Sequence, residues 1–307
     1  MSLTVVGSMA FDALETPFGK TDKIVGGAAT YISLAASYFV KPVNVVSVVG
    51  GDFDQDHIQL MHERHISTEG VQVKENDKSF FWSGRYFNDM NSRETLVTEL
   101  NVLADFDPII PQSYQGCEFL MLGNLAPQVQ KTVIERLNER PKLIVMDTMN
   151  FWMDIALDDL KETMKLVDVL SINDEEARQL SGEYSLVKAA KKIVAMGPKF
   201  LIIKKGEHGA LLFHGENVFF APALPLEEVF DPTGAGDTFA GGFIGHLAST
   251  GDTSFENMKR AVIYGSAMAS FCVEKFGTER LKSLTQQEID NRVQKFVKLV
   301  AFDTIMK

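Results

Sequence analysis

Residues 231–243 read DPTGAGDTFAGGF, a predicted loop that leads into a helix of small and apolar residues. Gly234 and Gly236 permit tight backbone turns with positive φ, so the amides near them can converge at the start of the helix. Unpaired N–H groups and the helix dipole favour an anion at such a point. The backbone of Gly234, Ala235 and Gly236 is therefore the predicted anion hole.

Asp237 falls in the first turn of the same predicted helix. A carboxylate beside an anion site is electrostatically unfavourable unless it handles a proton, so Asp237 is the candidate general base. An anion hole combined with a base predicts phosphoryl transfer to a hydroxyl group. The alternative is that Asp237 only caps the helix N-terminus.

Composition limits the partners of the chain. A chain of 307 residues can bury a large core, and one large α/β domain is within range. The formal net charge of −11 argues against nucleic acid or an anionic membrane as a partner.

The N-terminal residues lack the pattern of a signal peptide, and Cys117 and Cys272 both lie in apolar contexts. Free thiols in a cytoplasmic protein are the expectation.

Short apolar runs typical of strands alternate with helical patterns along the chain. This alternation predicts an α/β fold with a mostly parallel central sheet covered on both faces. Such sheets bind ligands at the carboxyl ends of their strands. The predicted strands are 3–6, 43–49, 119–122, 143–146, 169–172 and 201–203, and the predicted helices include 30–40, 128–138, 175–181, 186–196 and 238–248.

Residues 67–103 break the alternation. The runs KSFFWSGRYF (78–87) and RETLVTEL (93–100) read as antiparallel strands joined by a polar loop. An antiparallel insertion of this kind predicts a small β lid, with residues 13–25 as a second candidate lid segment. The alternative is an extension at the edge of the main sheet.

The first strand of this insertion is apolar on both faces. Phe80, Trp82 and Tyr86 alternate with Phe81 and Phe87, and a strand with two apolar faces must be covered twice. One face would close over the substrate and the other would pack on a second subunit. The sequence thus predicts a homodimer formed through the lid.

Residues 231–243 meet every fixed position of D-P-T-G-A-G-D-T-F-x-G-G-F, and they resemble the C-terminal signature of the ribokinase-like (PfkB-type) carbohydrate and nucleoside kinases. The resemblance extends over nearly the whole chain. It implies a single kinase domain over residues 1–307, with a three-layer ribokinase-like fold and a lid over the sugar site. It also implies ATP-dependent phosphorylation of a primary hydroxyl of a sugar, with Mg²⁺ as cofactor. The alternatives are a ribonucleoside kinase and a non-catalytic nucleotide or sugar sensor, although a sensor has no need for Asp237.

The acceptor end of the site is expected near the N-terminus. Asp12 follows the first strand, where the resemblance implies a carboxylate that binds two vicinal hydroxyls. Gly26 and Gly27 open the next helix, and their backbone can approach a sugar closely. A plain helix start is the alternative reading of these glycines.

Two positions depart from the family pattern. Ala10 and Tyr31 stand where many sugar kinases of this type have Asn. An aromatic ring in place of a polar contact makes a ribonucleoside acceptor plausible, because a base can stack on the ring. Arg85 in the lid is a candidate contact for an anionic substituent, or else a solvated lid residue.

The nucleotide end is expected after the later strands. Asn173 and Glu176 resemble the N-x-x-E motif of the family, which implies a role in organising phosphate, water and Mg²⁺, with Glu176 acting on the metal through water. A capped helix start with an acidic first turn is compatible with the same residues. Lys204, Lys205 and Gly206 resemble the phosphate and ribose segment, in which either lysine would offset nucleotide charge.

The resemblance also implies a monovalent cation beside the anion hole. Asp231 and Thr233 match the family positions that bind it, and K⁺ is the expected activating ion.

Overall fold

Strands and helices alternate along the chain in the computed structural model, which describes residues 1–301. The strands are β1 (Leu3–Val6), β2 (Ala10–Thr16), β3 (Gly19–Lys20), β4 (Ile24–Gly26), β5 (Val43–Gly50), β6 (Ile66–Lys74), β7 (Phe80–Tyr86), β8 (Arg93–Glu99), β9 (Phe119–Leu122), β10 (Leu143–Asp147), β11 (Val169–Asn173), β12 (Phe200–Lys204), β13 (Ala210–His214) and β14 (Asn217–Ala221). The helices are α1 (Ala28–Ala36), α2 (Gln55–Glu63), α3 (Pro127–Arg136), α4 (Asn150–Ile155), α5 (Leu157–Met164), α6 (Asp174–Ser181), α7 (Leu186–Val194), α8 (Ala235–Thr250), α9 (Phe255–Cys272), α10 (Glu279–Lys282) and α11 (Gln286–Val300).

The large sheet has nine strands in the order β14-β13-β12-β11-β10-β9-β1-β5-β6. All neighbours from β12 to β6 are parallel, and β13 and β14 add an antiparallel hairpin at one edge. The predicted α/β class with a mostly parallel central sheet is therefore confirmed.

Helices cover both faces of the large sheet, which forms two hydrophobic cores. Alternate residues of β1 point to opposite faces, with Leu3 and Val5 in one core and Val6 in the other. The first core is closed by α1, α8 and α9, and the second by α3, α5, α6 and α7. This three-layer arrangement buries the sheet on both sides and brings the carboxyl ends of its parallel strands to one edge.

A second sheet of five strands forms the lid, in the order β3-β2-β7-β8 with β4 paired to β2. It is built from residues 10–26 and 80–99. Most pairs are antiparallel, but β2 and β7 run in parallel.

The expected start of the lid at residue 67 is wrong. β6 pairs in parallel with β5 and forms the edge of the large sheet. Ile66 and Gly70 of β6 are buried, so packing on the main core outweighs the proximity of this strand to the lid in sequence. The alternative of an edge extension applies to β6 alone. Within residues 1–301, no helix is long and apolar enough to cross a membrane.

Candidate active site

The anion loop, defined here as residues 231–237, ends at the N-terminus of α8. Gly234 is the N-cap with a φ of 73°, a conformation that favours glycine. The Ala235 amide donates to the carbonyl oxygen of Pro232 at 3.2 Å. The amides of Gly234, Gly236 and Asp237 have no backbone acceptor among residues 1–301. The sequence predicted Ala235 as an anion donor, but its amide closes the turn. The Asp237 amide is free in its place.

Asp237 lies in the first turn of α8, yet no side-chain hydrogen bond caps that helix. Burial, and after it the charge of Asp147, raises the pKa of Asp237 to about 7, against the opposing charges of Lys204 and Arg93. A carboxyl that titrates near neutrality is suited to accept a proton from a hydroxyl. The capping alternative for Asp237 therefore has no hydrogen bond to support it.

Lys204 and Asp147 form an ion pair beside the anion loop. Lys204 ends β12 and Asp147 ends β10, and Nζ lies 2.9 Å from Asp147 Oδ2. The same Nζ lies 3.2 Å from the point where a Cβ on Gly236 would stand. Burial lowers the pKa of Lys204, but the carboxylates of Asp147, Glu176 and Asp237 outweigh it and raise the pKa above its ordinary value. Lys204 is therefore a permanent cation next to the loop amides.

Lys205 and Gly206 lie farther along the same segment. The Lys205 amide donates to the Gly209 carbonyl oxygen at 2.8 Å, and Gly206 begins a short 3₁₀ turn. Of the two candidate lysines, the structure places Lys204 at the anion loop.

Asn173 and Glu176 form a capping box at the start of α6. Asn173 Oδ1 accepts the Glu176 amide at 2.8 Å, and Glu176 Oε2 accepts the Asn173 amide at 2.7 Å. Burial raises the pKa of Glu176 to about 7, with Asp147 adding to the rise and Lys204 opposing it. The helix-cap reading of these residues holds, and it leaves Glu176 Oε1 without a role in the cap.

The concentration of buried carboxylates at this point fits a divalent cation. Burial and the charge of Asp147 raise the pKa of Glu176 and of Asp237, and the charges of Lys204 and Arg93 oppose that rise. In the described part of the chain, no three acidic, histidine or cysteine side chains are close enough to hold a metal ion together. Mg²⁺ would therefore take water and phosphate oxygens as most of its ligands.

Asp231 is buried at the base of the anion loop. Its Oδ1 accepts the Thr233 amide and its Oδ2 accepts the Gly277 amide, both at 2.8 Å. No lysine, arginine or histidine of residues 1–301 pairs with it, and burial raises its pKa. A buried carboxylate that lacks an ion-pair partner is compatible with a nearby monovalent cation.

Asp12 lies on lid strand β2 at the acceptor end. Its Oδ2 stands 1.9 Å from the point where a Cβ on Gly26 would be, so only glycine fits there. Gly27 has a φ of 92° and packs on the Ser8 backbone. Burial, followed by the charges of Asp231 and Asp237, raises the pKa of Asp12 to about 8. A carboxyl with a raised pKa can accept from sugar hydroxyls and, when protonated, can also donate to them.

Neither Tyr31 nor Arg85 is available to bind an acceptor. The Tyr31 ring packs under Gly234, where a Cβ would lie 2.5 Å from the ring, and it is 1% exposed. It therefore presents no face on which a base could stack. The Arg85 guanidinium pairs with Glu15 at 2.8 Å and with Glu94 at 3.6 Å, so its charge is already matched within the lid.

The lid contacts the phosphate end of the site. Thr233 Oγ1 donates to Tyr86 Oη at 3.3 Å, and Asn91 in the loop between β7 and β8 touches Gly206. The charge of Arg93 lowers the pKa of both Asp237 and Glu176. Sequence reasoning missed Asp147 and Arg93, and it gave Tyr86 only as an apolar residue of the lid. For Asp147, its place at the carboxyl end of a predicted strand was an available signal.

Comparisons with known proteins agree with this fold and site. The pfkB family carbohydrate kinase profile matches residues 2–284. The cytidine kinase of Thermococcus kodakarensis is 30% identical over 250 residues, covering 80% of this chain and 87% of that protein. The nucleoside kinase of Methanothermobacter thermautotrophicus is 25% identical over 308 residues, covering 90% and 91%.

Solved structures share the fold. The Methanocaldococcus jannaschii nucleoside kinase has a TM-score of 0.77 at 19% identity, covering 96% of this chain and 98% of that one. An E. coli chain solved in complex with ATP and Mg²⁺ has a TM-score of 0.79 at 19% identity, covering 96% and 99%.

The chain belongs to the PfkB family of carbohydrate kinases. It is a phosphotransferase with an alcohol group as acceptor.

Proposed function

We propose that this kinase transfers the γ-phosphoryl group of ATP to the primary hydroxyl of a ribose-type sugar. The observation that carries the proposal is the Asp237 carboxyl. It makes no helix-capping hydrogen bond, has a pKa of about 7 and lies beside the free amides of the anion loop. Phosphoryl transfer to a hydroxyl needs a base for the hydroxyl proton and donors for the charge on the transferred group, and one helix N-terminus supplies both.

The anion loop, Lys204 and Asp12 have separate parts in the reaction. Asp237 takes the proton of the acceptor hydroxyl as the hydroxyl oxygen bonds to the γ-phosphorus, and the bond from that phosphorus to the bridging oxygen breaks to release ADP. The amides of Gly234 and Gly236 donate to oxygens of the transferred group, and Lys204 offsets the charge that develops there. Asp12 holds the vicinal hydroxyls of the ring and so aims the primary hydroxyl at Asp237.

Mg²⁺ is proposed to sit near Glu176. The ion would neutralise the nucleotide phosphates when bound. Glu176 would hold one of its waters through the oxygen that the capping box does not use, while Asn173 keeps the carboxylate oriented. Glu176 acts in this role only when ionised, and Lys204 favours that state.

A monovalent cation such as K⁺ is proposed to bind near Asp231 and Thr233. Its support is the buried carboxylate of Asp231, which accepts the Thr233 and Gly277 amides and has no ion-pair partner among residues 1–301. Such a cation would stabilise the turn that presents the anion-loop amides.

Two further proposals concern assembly and location. The edge strand β8 is exposed throughout, including Leu96 and Val97, and Phe87 is 47% exposed. An exposed sheet edge that carries apolar side chains favours pairing with a second copy through the lid, which light scattering after size exclusion would test. Both cysteines are free and buried, which supports a cytoplasmic location.

A ribonucleoside is the second candidate acceptor, supported by the similarity to a cytidine kinase and a nucleoside kinase. Measurement of ADP release with a panel of pentoses, hexoses and nucleosides tests both acceptors. Release that depends on one acceptor and on Asp237 is the expected result. Binding of nucleotide with no ADP release for any acceptor would instead favour a non-catalytic sensor.

A further inference from the structure

Trp82 lies on lid strand β7 directly beside Asp12 of β2. The two strands are parallel, and Asp12 and Trp82 are partners in register. Register partners leave the same face of a sheet about 5 Å apart. Tyr86, four residues along β7, extends from that face to Thr233 at the anion loop. Trp82 therefore shares the face of the lid that closes over the site.

The Trp82 indole is held in place over Gly84. A Cβ on Gly84 would lie 2.2 Å from one ring carbon and 2.4 Å from another, so the indole occupies the space a side chain would fill. Its Nε1 donates to Thr95 Oγ1 of β8 at 3.3 Å. The only polar atom of the ring is thus engaged, and the remaining, partly exposed surface is apolar.

We propose that Trp82 is the surface on which the base of a ribonucleoside acceptor stacks, and that this contact favours the second candidate acceptor, a nucleoside, over a free sugar. This inference rests on the proposed function, because Asp12 must hold the ribose. The base of a nucleoside is attached to the carbon next to the vicinal hydroxyls. A ribose held on Asp12 therefore brings its base to the neighbouring register position, which is Trp82.

The chemistry of the surface favours a base over a hydroxyl. A free sugar would place its anomeric hydroxyl near an indole that has no hydrogen bond to offer, whereas a base gains stacking energy there. The other candidate rings are less suitable. Tyr31 is 1% exposed under the anion loop. Phe81 leaves the opposite face of β7 because side chains alternate along a strand, and Phe87 lies past the end of β7.

The test compares cytidine with ribose as acceptors for the wild type and for Trp82→Leu. The matched control is Phe87→Leu, at an exposed aromatic residue just past the end of β7. The ratio of kcat/KM for cytidine to that for ribose should fall about 5- to 150-fold in Trp82→Leu, the factor that corresponds to one base stacked on an aromatic ring. Trp82→Phe should recover most of the ratio, and Phe87→Leu should leave it at the wild-type value. Circular dichroism checks that each variant is folded.

A second readout does not depend on turnover. Trp82 and Trp152 are the tryptophans of the chain, so the Trp152→Phe variant reports on Trp82 alone. Cytidine should quench its fluorescence, whereas ribose should not.

An unchanged ratio in a folded Trp82→Leu variant would overturn the assignment. So would a wild type that phosphorylates ribose and rejects every nucleoside, and the proposed kinase function would survive that result. If no acceptor is phosphorylated, the proposed function fails and the fluorescence titration alone decides whether a base binds at Trp82.

Discussion

Lys204 Nζ and Asp147 Oδ2 lie 2.9 Å apart across the carboxyl end of β11. Either charge alone would be costly to bury, and each stabilises the other. The ammonium also stands beside Gly236 in the anion loop. An entering phosphate would therefore find a cation already ordered, because Asp147 positions it before the nucleotide binds.

Replacement of Asp237 by Asn tests the general base. The change keeps the size of the side chain but removes the basic oxygen, so kcat should fall about 10²- to 10⁴-fold. Nucleotide affinity should stay near the wild-type value. Turnover, nucleotide binding and thermal midpoint are measured on one preparation, with the exposed Asp105→Asn as the matched control. Near wild-type turnover in a folded Asp237→Asn variant would exclude the base role.

The pH dependence of the rate follows from the pKa of Asp237, raised to about 7 by burial. Since only the ionised carboxylate accepts a proton, kcat/KM should fall below about pH 7. Lys204 favours the ionised form, so Lys204→Met should move the acid limb to higher pH. A pH–rate profile of both proteins checks this, and an acid limb that stays in place in the variant would contradict the coupling.

The same pKa has a consequence for stability. The Asp237 carboxyl is protonated more readily in the folded chain, where its pKa is about 7, than in the unfolded chain, where its pKa is 3.8. The contribution of Asp237 therefore lowers the free energy of unfolding progressively from about pH 4 to about pH 7, and this contribution is constant above that range. Relative to the wild type, Asp237→Asn should gain thermal stability as the pH rises from 4 to 8. Thermal melts at both pH values measure the difference, and a constant difference would count against the raised pKa.

Lys204 and Lys205 can be separated by matched substitutions. Lys204→Met should lower kcat/KM for ATP about 10- to 100-fold, because a hydrogen bond to a charged group is lost. Lys205→Met should have a smaller effect, since the structure does not place Lys205 at the anion loop. Steady-state kinetics with varied ATP compares them, and an equal loss in both variants would show that the assignment to Lys204 is wrong.

Glu176→Gln tests the link to Mg²⁺. The amide oxygen can still accept the Asn173 amide, so the capping box is kept, but the negative charge is lost. The Mg²⁺ concentration for half-maximal rate should rise several-fold. Glu175→Gln, at the exposed neighbouring position, is the control. Identical Mg²⁺ titrations for the wild type and Glu176→Gln would refute the role.

Much of the fold follows from the sequence alone. The apolar runs at 3–6 and 119–122 coincide with β1 and β9, because a strand buried on both faces needs a continuous apolar run. The loop geometry at Gly234 is likewise local, since a positive φ at a helix start favours glycine. The anion loop and the position of Asp237 in the first turn could therefore be predicted without coordinates.

Only the tertiary structure decided which residues meet. The ion pair between Asp147 and Lys204 joins strands 57 residues apart in sequence, and strand order alone brings them together. The same holds for Tyr31, which long-range packing buries under Gly234, and for Trp82, which the register of β2 and β7 sets beside Asp12. Local sequence determines backbone conformation and burial, whereas the partners of a side chain depend on contacts between distant segments. The sequence by itself thus determined the fold class and the phosphate-binding loop, and the packing of the lid decided which side chains face the acceptor.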